Sequence, residues 1–222
     1  MAGLFDRLKT DCSSEWNAYT RHAFVTSMAD GTLPQPAFRT YLQQDYLFLI
    51  HFSRAYALAV YKAPGLADMR QALAGLKTIM DVEMDLHVEL CATWGITKDE
   101  LEHMPEASET LAYTRFVLES GLRGDLLDLQ VALAPCILGY GEIGQQNRAA
   151  TPQGPMAAAY QRWFGEYASD EYAEAASDFA DWMNRTADVY LTEARYSNVR
   201  RIFSQATRLE ADFWQMGLNA AD

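Results

Sequence analysis

The sequence is poor in the residues that build disulfide frameworks and metal sites, with three cysteines and four histidines among 222 residues. The cysteines, at Cys12, Cys91 and Cys136, are too few and too scattered for a disulfide framework or for a zinc site of paired cysteines. We therefore expect free thiols in a reducing compartment, for which the cytoplasm is the default.

Positive charge is also scarce. Lysine and arginine number 18 against 30 aspartate and glutamate residues, a formal net charge of −12. An excess of negative charge argues against a surface that attracts nucleic acid or an anionic membrane. Residues 1–16 are amphipathic and lack the apolar centre of a secretory signal. Because no window of 18 residues is both apolar and uncharged, we expect no membrane span.

The sequence lacks alternating strand patterns, glycine-rich loops and linkers, and helical periodicity runs almost throughout. The predicted helices cover residues 4–28, 32–62, 66–94, 108–119, 125–148, 151–167, 169–193 and 197–218. Asp30-Gly31 is expected to end the first helix, and Thr151-Pro152 to open the sixth. The pattern predicts an all-α fold, in which residues 1–222 form one domain of roughly eight helices packed as a bundle.

Residues 133–142, LAPCILGYGE, place a proline and then a cysteine inside an otherwise helical apolar run. A proline in a helix removes one backbone hydrogen bond and kinks the axis, at a cost of about 3 kcal/mol. Kinks of this kind often lie beside functional sites. The alternative is that Cys136 is a small hydrophobic residue of the core.

Two carboxylates lie in strongly apolar surroundings. Asp45 interrupts a helix that is apolar nearly all round, so its carboxylate needs partners or a shifted pKa. Glu210 precedes Phe213 and Trp214 on one helix face, where a raised pKa suits a general acid. A thiol together with a carboxylic acid suggests nucleophilic displacement at an electron-poor carbon. Phe48 pairs with Asp45 three residues along the helix, and the aromatic residues that could stack on a flat ring are Tyr113, Tyr140, Tyr167 and Phe213. The alternatives are a surface glutamate at Glu210, whose aromatic neighbours face the core, and a purely structural aromatic core.

The candidates for a metal or haem site are weak. Glu100 and His103 have the Glu-x-x-His spacing of di-iron bundles, but no second pair of this kind exists. Glu83 and His87 are four residues apart, and we interpret their segment as an amphipathic helix surface. His22 could be the axial ligand of a haem, although a packed or hydrogen-bonded histidine is the better interpretation. We expect no metal and no cofactor.

Several segments together resemble a known family. They are His22-Ala23-Phe24-Val25, Asp30-Gly31-Thr32-Leu33-Pro34, Gln44-Asp45-Tyr46, Ala112-Tyr113-Thr114, Pro135-Cys136, Tyr160-Gln161-Arg162-Trp163, Tyr167, and Glu210 with Phe213-Trp214. In this order and over nearly the whole length, the chain resembles the TenA/thiaminase II family of thiamin salvage. The cysteine at Cys136 corresponds to the cysteine-containing branch of that family.

The resemblance implies an all-α bundle of the haem-oxygenase type without haem, assembled as a homotetramer. It implies hydrolysis of 4-amino-5-aminomethyl-2-methylpyrimidine to the hydroxymethyl form and ammonia, with thiamin as a poorer substrate.

The resemblance also assigns a role to each candidate residue. Cys136 would be the nucleophile, Glu210 the acid that protonates the ring, and Asp45 the group that binds the amino substituent and helps to activate the thiol. Tyr113 would bond near the reacting centre. The residues that hold and stack on the pyrimidine ring would be Tyr140, Tyr167 and Phe213. Phe48 stands where the family often has tyrosine, which leaves stacking intact but removes a hydroxyl.

Two other classes of function remain open from the sequence. A non-catalytic pyrimidine-binding or regulatory protein on the same fold would bind the ligand but release no ammonia. A di-iron or haem-type oxidoreductase would carry metal or an absorption band.

Overall fold

The computed structural model describes residues 3–221, which contain helices and no strand. The α-helices are α1 Leu4–Asp11, α2 Ser13–Thr20, α3 Ala23–Asp30, α4 Gln35–Lys62, α5 Leu66–Thr78, α6 Met84–Ala92, α7 Lys98–His103, α8 Ser108–Arg123, α9 Leu126–Ala134, α10 Tyr140–Gln146, α11 Ala157–Tyr167, α12 Asp170–Tyr190 and α13 Glu193–Asn219. Two π-helical turns, π1 (Ile79–Glu83) and π2 (Pro135–Gly139), join α5 to α6 and α9 to α10. The all-α prediction is confirmed.

Two long helices form the centre of the bundle. Helix α4 packs against α5, α6, α8, α9 and α13, and α13 packs against α2, α3, α8, α9 and π2. Both helices bury broad apolar faces, as the sequence of α4 predicts. The burial of each large side chain on these faces contributes about 1.5–3 kcal/mol. The polar residues that the two helices carry into this core are therefore exceptional.

The first predicted helix, residues 4–28, is wrong as a single element, because the chain forms three short helices there. Cys12 and Arg21 leave helical geometry with φ near −118°. His22 is extended and its ring accepts a hydrogen bond from the backbone N–H of Phe24, which caps α3. The predicted end at Asp30-Gly31 is confirmed, since Gly31 follows α3 with φ +83°.

The third predicted helix, residues 66–94, contains the turn π1, which no proline or glycine marks in the sequence. One extra residue in a helical turn rotates everything after it by about 100° relative to an unbroken helix. This rotation brings His87 to a fully buried position. The interpretation of Glu83 and His87 as part of an amphipathic surface is therefore wrong for His87.

The fifth predicted helix, residues 125–148, is helical from Leu126 to Gln146 and passes through Pro135 as the turn π2. Tyr19 donates a hydrogen bond to the carbonyl of Pro135, at 3.2 Å. Gly139 is required here, because a β-carbon on it would lie 2.3 Å from the ring of Tyr19. The run is long and apolar enough to cross a membrane, but 83% of its most apolar window is buried in the protein. This run therefore lies in the core of the bundle.

The predicted helix start at Thr151-Pro152 is wrong, because α11 begins at Ala157. Gly154 adopts φ +97°, which no helix continues through. At the other boundaries, α8 runs four residues beyond the predicted end and α13 begins at Glu193, capped by Thr192. Ser169 caps α12.

Candidate active site

The structure places the predicted site residues in one region of the core, although they come from five parts of the chain. Asp45 and Phe48 lie on α4, Tyr113 on α8, Cys136 on π2 with Tyr140 on α10, Tyr167 on α11, and Glu210 and Phe213 on α13. All eight side chains are buried.

Cys136 lies at the wall of a cavity of about 530 Å³ that opens between α5, π1 and α12. Glu83 of π1 lines the same cavity, as do the aromatic residues Phe52, Tyr56 and Tyr172. Tyr172 also donates a hydrogen bond to the carbonyl of Ile137, at 3.1 Å, which ties α12 to the turn that carries the thiol. Of the predicted site residues, only Cys136 lines this cavity, and the other seven lie deeper in the bundle.

Glu210 is the predicted acid, and its carboxyl is almost completely buried. Tyr113 donates a hydrogen bond to its Oε1 at 2.7 Å. Burial raises the pKa of Glu210 to about 8, opposed by the Tyr113 hydrogen bond and assisted by the charge of Asp45. At neutral pH the Glu210 carboxyl therefore holds a proton that it can give to a ligand.

Asp45 has two hydrogen-bond partners, and both reach the same oxygen. The hydroxyl of Tyr41 donates to Oδ2 at 3.0 Å, and His87 Nε2 lies 2.6 Å from it. Within residues 3–221 no protein group bonds to Oδ1. Because Oδ1 is left without a partner, it can receive a hydrogen bond from an amino group on a ligand.

The Cys136 thiol is not activated in the ligand-free protein. Burial raises its pKa well above the ordinary value, and the nearby charges of Glu210, Glu83 and Asp45 raise it further. The nucleophilic thiolate is therefore rare until positive charge enters the site. A ligand ring that takes up the Glu210 proton supplies such a charge.

Two groups of aromatic rings surround the carboxyls. Phe48 lies 4.9 Å from the ring of Tyr113 and 5.9 Å from that of Phe213. Tyr140 packs against Tyr167 at 4.9 Å. The predicted stacking residues thus form two clusters that Tyr41 links, since its ring lies 6.1 Å from that of Phe213 and its hydroxyl 3.5 Å from that of Tyr140.

The site also contains residues to which the sequence pattern assigns no catalytic or binding role. Trp163 donates its indole N–H to the hydroxyl oxygen of Tyr41, which in turn bonds to Asp45. His87 is the partner of Asp45, and Glu83 faces the cavity. The spacing of Tyr41 and Asp45, four residues apart on one helix face, could have indicated Tyr41. No local signal could have indicated Glu83 or His87 without knowledge of the π1 turn.

The alternative metal and haem candidates lie elsewhere. Glu100 bonds to Thr97 in a capping box at the start of α7, and His103 is exposed on the same helix. The two therefore do not project into the bundle. Within residues 3–221 no three histidine, cysteine, aspartate or glutamate side chains lie close enough together to hold a metal ion.

The thiols of Cys12, Cys91 and Cys136 are free and buried. This agrees with the expectation that the cysteines form no disulfide framework.

Comparison with known proteins gives consistent results. The profile of the TENA/THI-4/PQQC family matches residues 11–220. The chain is 37% identical over 207 residues to the aminopyrimidine aminohydrolase of Halalkalibacterium halodurans, with 92% of this chain and 90% of that one covered. A crystal structure of a TenA family transcription regulator from Silicibacter sp. TM1040 superposes with a TM-score of 0.91 at 43% identity, over 96% of each chain.

A domain from Shewanella denitrificans with a heme oxygenase-like fold superposes with a TM-score of 0.73 at 12% identity, over 97% of this chain and 92% of that one. At this identity the likeness concerns the fold alone, and it confirms the predicted haem-oxygenase-like bundle. Taken with the match over residues 11–220, these findings show that the chain belongs to the TENA/THI-4/PQQC family.

Proposed function

We propose that this protein is an enzyme of thiamin salvage, an aminopyrimidine aminohydrolase. It converts 4-amino-5-aminomethyl-2-methylpyrimidine to the hydroxymethyl form and releases ammonia. The observation that carries the proposal is the arrangement of a thiol at the cavity wall in front of two buried carboxyls, one of which holds a proton at neutral pH. Relatives named aminopyrimidine aminohydrolase support the same reaction.

Glu210 acts first in the proposed mechanism. Its carboxyl protonates a nitrogen of the pyrimidine ring, which withdraws electrons from the ring carbons and makes one of them open to attack. The hydrogen bond from Tyr113 holds the carboxyl in one orientation during this transfer. A permanently ionised carboxylate could not perform this step, so the raised pKa is part of the mechanism.

Cys136 then adds to the activated ring as its thiol loses a proton. The ring cation offsets the carboxylate charges that keep the thiol neutral in the empty site. Asp45 receives the ring amino group through Oδ1 and, once the substrate is bound, assists the loss of the thiol proton. With the sulfur attached to the ring, the C–N bond of the aminomethyl side chain breaks, and its nitrogen takes the proton lost by the thiol and leaves as ammonia. Water adds to the CH2 carbon and gives a proton to the Glu210 carboxylate. The C–S bond breaks last, which returns the ring proton to the sulfur and restores the aromatic ring.

The two aromatic clusters hold the ring. One cluster consists of Phe48, Tyr113 and Phe213, and the other of Tyr140 and Tyr167. Flat aromatic faces of this kind bind a pyrimidine with little loss of side-chain entropy. The cavity between α5, π1 and α12 is the entry route, because it joins the surface to Cys136.

We also propose that the chain works in the cytoplasm as a homotetramer. Several large apolar side chains on α5 and beside it are exposed, namely Tyr61, Leu66, Met69, Leu73, Met80 and Val82. Leu66, Met69 and Leu73 share one helix face, and a second copy of the chain would remove this face from water. Light scattering of the purified protein measures the mass directly, and the mass of a monomer would contradict the assembly.

One assay tests the proposed reaction. Purified protein is incubated with the aminomethylpyrimidine, with thiamin, or with a pyrimidine that carries a methyl group in place of the aminomethyl group, and released ammonia is measured. We expect ammonia from the aminomethylpyrimidine and none from the methyl compound. Binding of the aminomethylpyrimidine without release of ammonia would favour the non-catalytic pyrimidine-binding alternative.

A further inference from the structure

His87 stands out among the basic residues of the protein. It is the one basic side chain that the structure buries within residues 3–221, and its ring is completely inaccessible to solvent. No sequence motif marks it, and the mechanism proposed above gives it no role. Its position is fixed by the π1 turn, which rotates α6 so that His87 meets α4.

The contacts of His87 determine where its protons lie. Nδ1 is 2.8 Å from the backbone carbonyl oxygen of Glu83, which can only accept a hydrogen bond, so Nδ1 carries a hydrogen. Nε2 is 2.6 Å from Asp45 Oδ2. A carboxylate oxygen and a bare ring nitrogen would repel each other at this distance, so one proton lies between them.

We propose that His87 is the positioning residue of the site, a buried imidazolium that acts as the counter-ion of Asp45. The pair is neutral as a whole, with the proton on His87 and the negative charge on Asp45. It fixes Oδ2, so that Oδ1 stays turned toward the ligand. This inference rests on the proposed function only for what the ligand is, because the ion pair is present in the free protein.

The surroundings favour the charged form of the pair. The titratable groups that face His87 are Asp45 and Tyr41 on α4 and Glu83 on π1, the turn that precedes α6. None of these groups is cationic. Burial lowers the pKa of His87, but the charge and hydrogen bond of Asp45 outweigh burial and raise it. A buried pair of opposite charges is held in this way when further hydrogen bonds support it. Here the Tyr41 hydroxyl donates to Oδ2 and the Glu83 carbonyl accepts from Nδ1, which leaves only Oδ1 of Asp45 for a ligand.

The pair also sets the charge around Cys136. Three carboxyl groups raise the pKa of that thiol, and Asp45 is one of them. The imidazolium cancels most of the Asp45 charge at the sulfur, so the thiol ionises more readily than it would beside a bare carboxylate. His87 therefore acts on the nucleophile through Asp45 and does not touch the reacting atoms.

The first test uses two substitutions. His87→Gln keeps an N–H donor near Oδ2 without the charge, and His87→Leu removes both. The matched control is His103→Gln, because His103 forms an exposed pair with Asp99 far from the cavity. Thermal unfolding of each variant checks that it is folded before its activity is compared.

We expect His87→Gln to lower kcat/KM at pH 7 about tenfold, with most of the loss in kcat. Removing the imidazolium leaves one positive charge fewer beside the titrating groups of the site, so the acidic limb of the pH profile moves up by about one unit. His87→Leu should show the same shift and also a raised KM, since Oδ1 is no longer fixed. An unchanged acidic limb in both folded variants would overturn the proposal, because a purely structural histidine would change stability alone.

Two measurements do not depend on turnover. Nitrogen-15 NMR of the histidine rings in the unmutated protein should show both nitrogens of His87 protonated at pH 8, where an ordinary imidazole is largely neutral. Iodoacetamide, which forms a carbon–sulfur bond with the thiolate and loses iodide, should modify Cys136 with a midpoint at higher pH in His87→Gln. A neutral His87 ring at pH 8 would refute the ion pair. Absence of ammonia release in the unmutated protein would instead refute the proposed function and leave the ion pair tested by these two measurements.

Discussion

The two π-helical turns, π1 and π2, border the same cavity but differ in sequence and in surroundings. The turn π2 contributes Cys136, and all five of its residues are buried. The turn π1 contributes Glu83, and only Ile79 of its five residues is buried. The buried turn thus holds the thiol in the core, while the more exposed turn contributes a half-buried carboxyl to the lining of the same cavity.

The surroundings also set the charge of each group. Burial and neighbouring carboxylates raise the pKa of the Cys136 thiol well above its ordinary value. Glu83 is desolvated too, which raises its pKa to about 7, with His87 opposing and Asp45 and Glu166 adding to the shift. We therefore expect substitutions in π2 to remove the chemistry, and substitutions in π1 to change how the reaction responds to pH and to substrate charge.

The largest effect is expected from Cys136→Ser. A serine hydroxyl is a far weaker nucleophile, so ammonia release should fall by about a thousandfold or more while the fold is retained. Cys91→Ser is the matched control, because Cys91 is also buried but does not line the cavity. Turnover is measured by ammonia release and folding by thermal unfolding. Undiminished turnover in Cys136→Ser would remove the thiol from the mechanism.

Glu210→Gln comes next. The amide keeps the bond with Tyr113 but cannot donate an acidic proton, so kcat should fall about a hundredfold with little change in substrate affinity. In the unmutated protein the rate should decline above about pH 8, since Glu210 then loses its proton. If only substrate affinity fell while the single-turnover rate stayed unchanged, the assignment of Glu210 as the acid would be wrong.

The same carboxyl gives a prediction about stability. Its pKa is higher in the folded state than the ordinary value of 4.5, so it favours folding below that pH and this contribution is lost as pH rises toward 8. Glu210→Gln has no such titration. We expect its melting temperature to exceed that of the unmutated protein at pH 8 and the two to converge near pH 4.5.

The sequence predicts those residues of the site that their near neighbours in the chain mark, and it misses those that a distant contact defines. The apolar setting of Asp45, the aromatic neighbours of Glu210 and the proline before Cys136 are visible in short segments, and the structure brings these three residues together in the core. The pair His87–Asp45 joins residues 42 positions apart through a turn that carries no proline or glycine. The three helices at the N-terminus were missed for a similar reason, since His22 caps α3 through its ring and a histidine is an uncommon cap.

Glu83→Gln is expected to have a moderate effect. It should lower the pKa of the Cys136 thiol, whereas His87→Gln should raise it. Removing this carboxylate lowers the negative charge near Cys136, so alkylation by iodoacetamide should begin at lower pH. For a cationic substrate KM should rise by about threefold above pH 7, where Glu83 is ionised, and little below it. Glu174→Gln, an exposed change on α12 outside the cavity, is the control. A KM ratio that does not vary with pH would contradict a role for the Glu83 charge.

The smallest effect is expected from Phe48→Tyr, which adds a hydroxyl at the position where the family resemblance implies a tyrosine. Phe48 packs 4.9 Å from Tyr113 and is buried, so the ring of the substituted tyrosine should keep its stacking contacts. The new hydroxyl must find a partner, and Glu210, which already bonds to Tyr113, is one that can accept it. If it does, the pKa of Glu210 falls and the loss of activity begins at lower pH, while the ratio of kcat/KM for the aminomethylpyrimidine and thiamin changes by less than about tenfold. The measurement is that ratio across pH 6–9, and a loss of binding to both substrates would show that the hydroxyl is not accommodated and that Phe48 is a packing requirement of this chain.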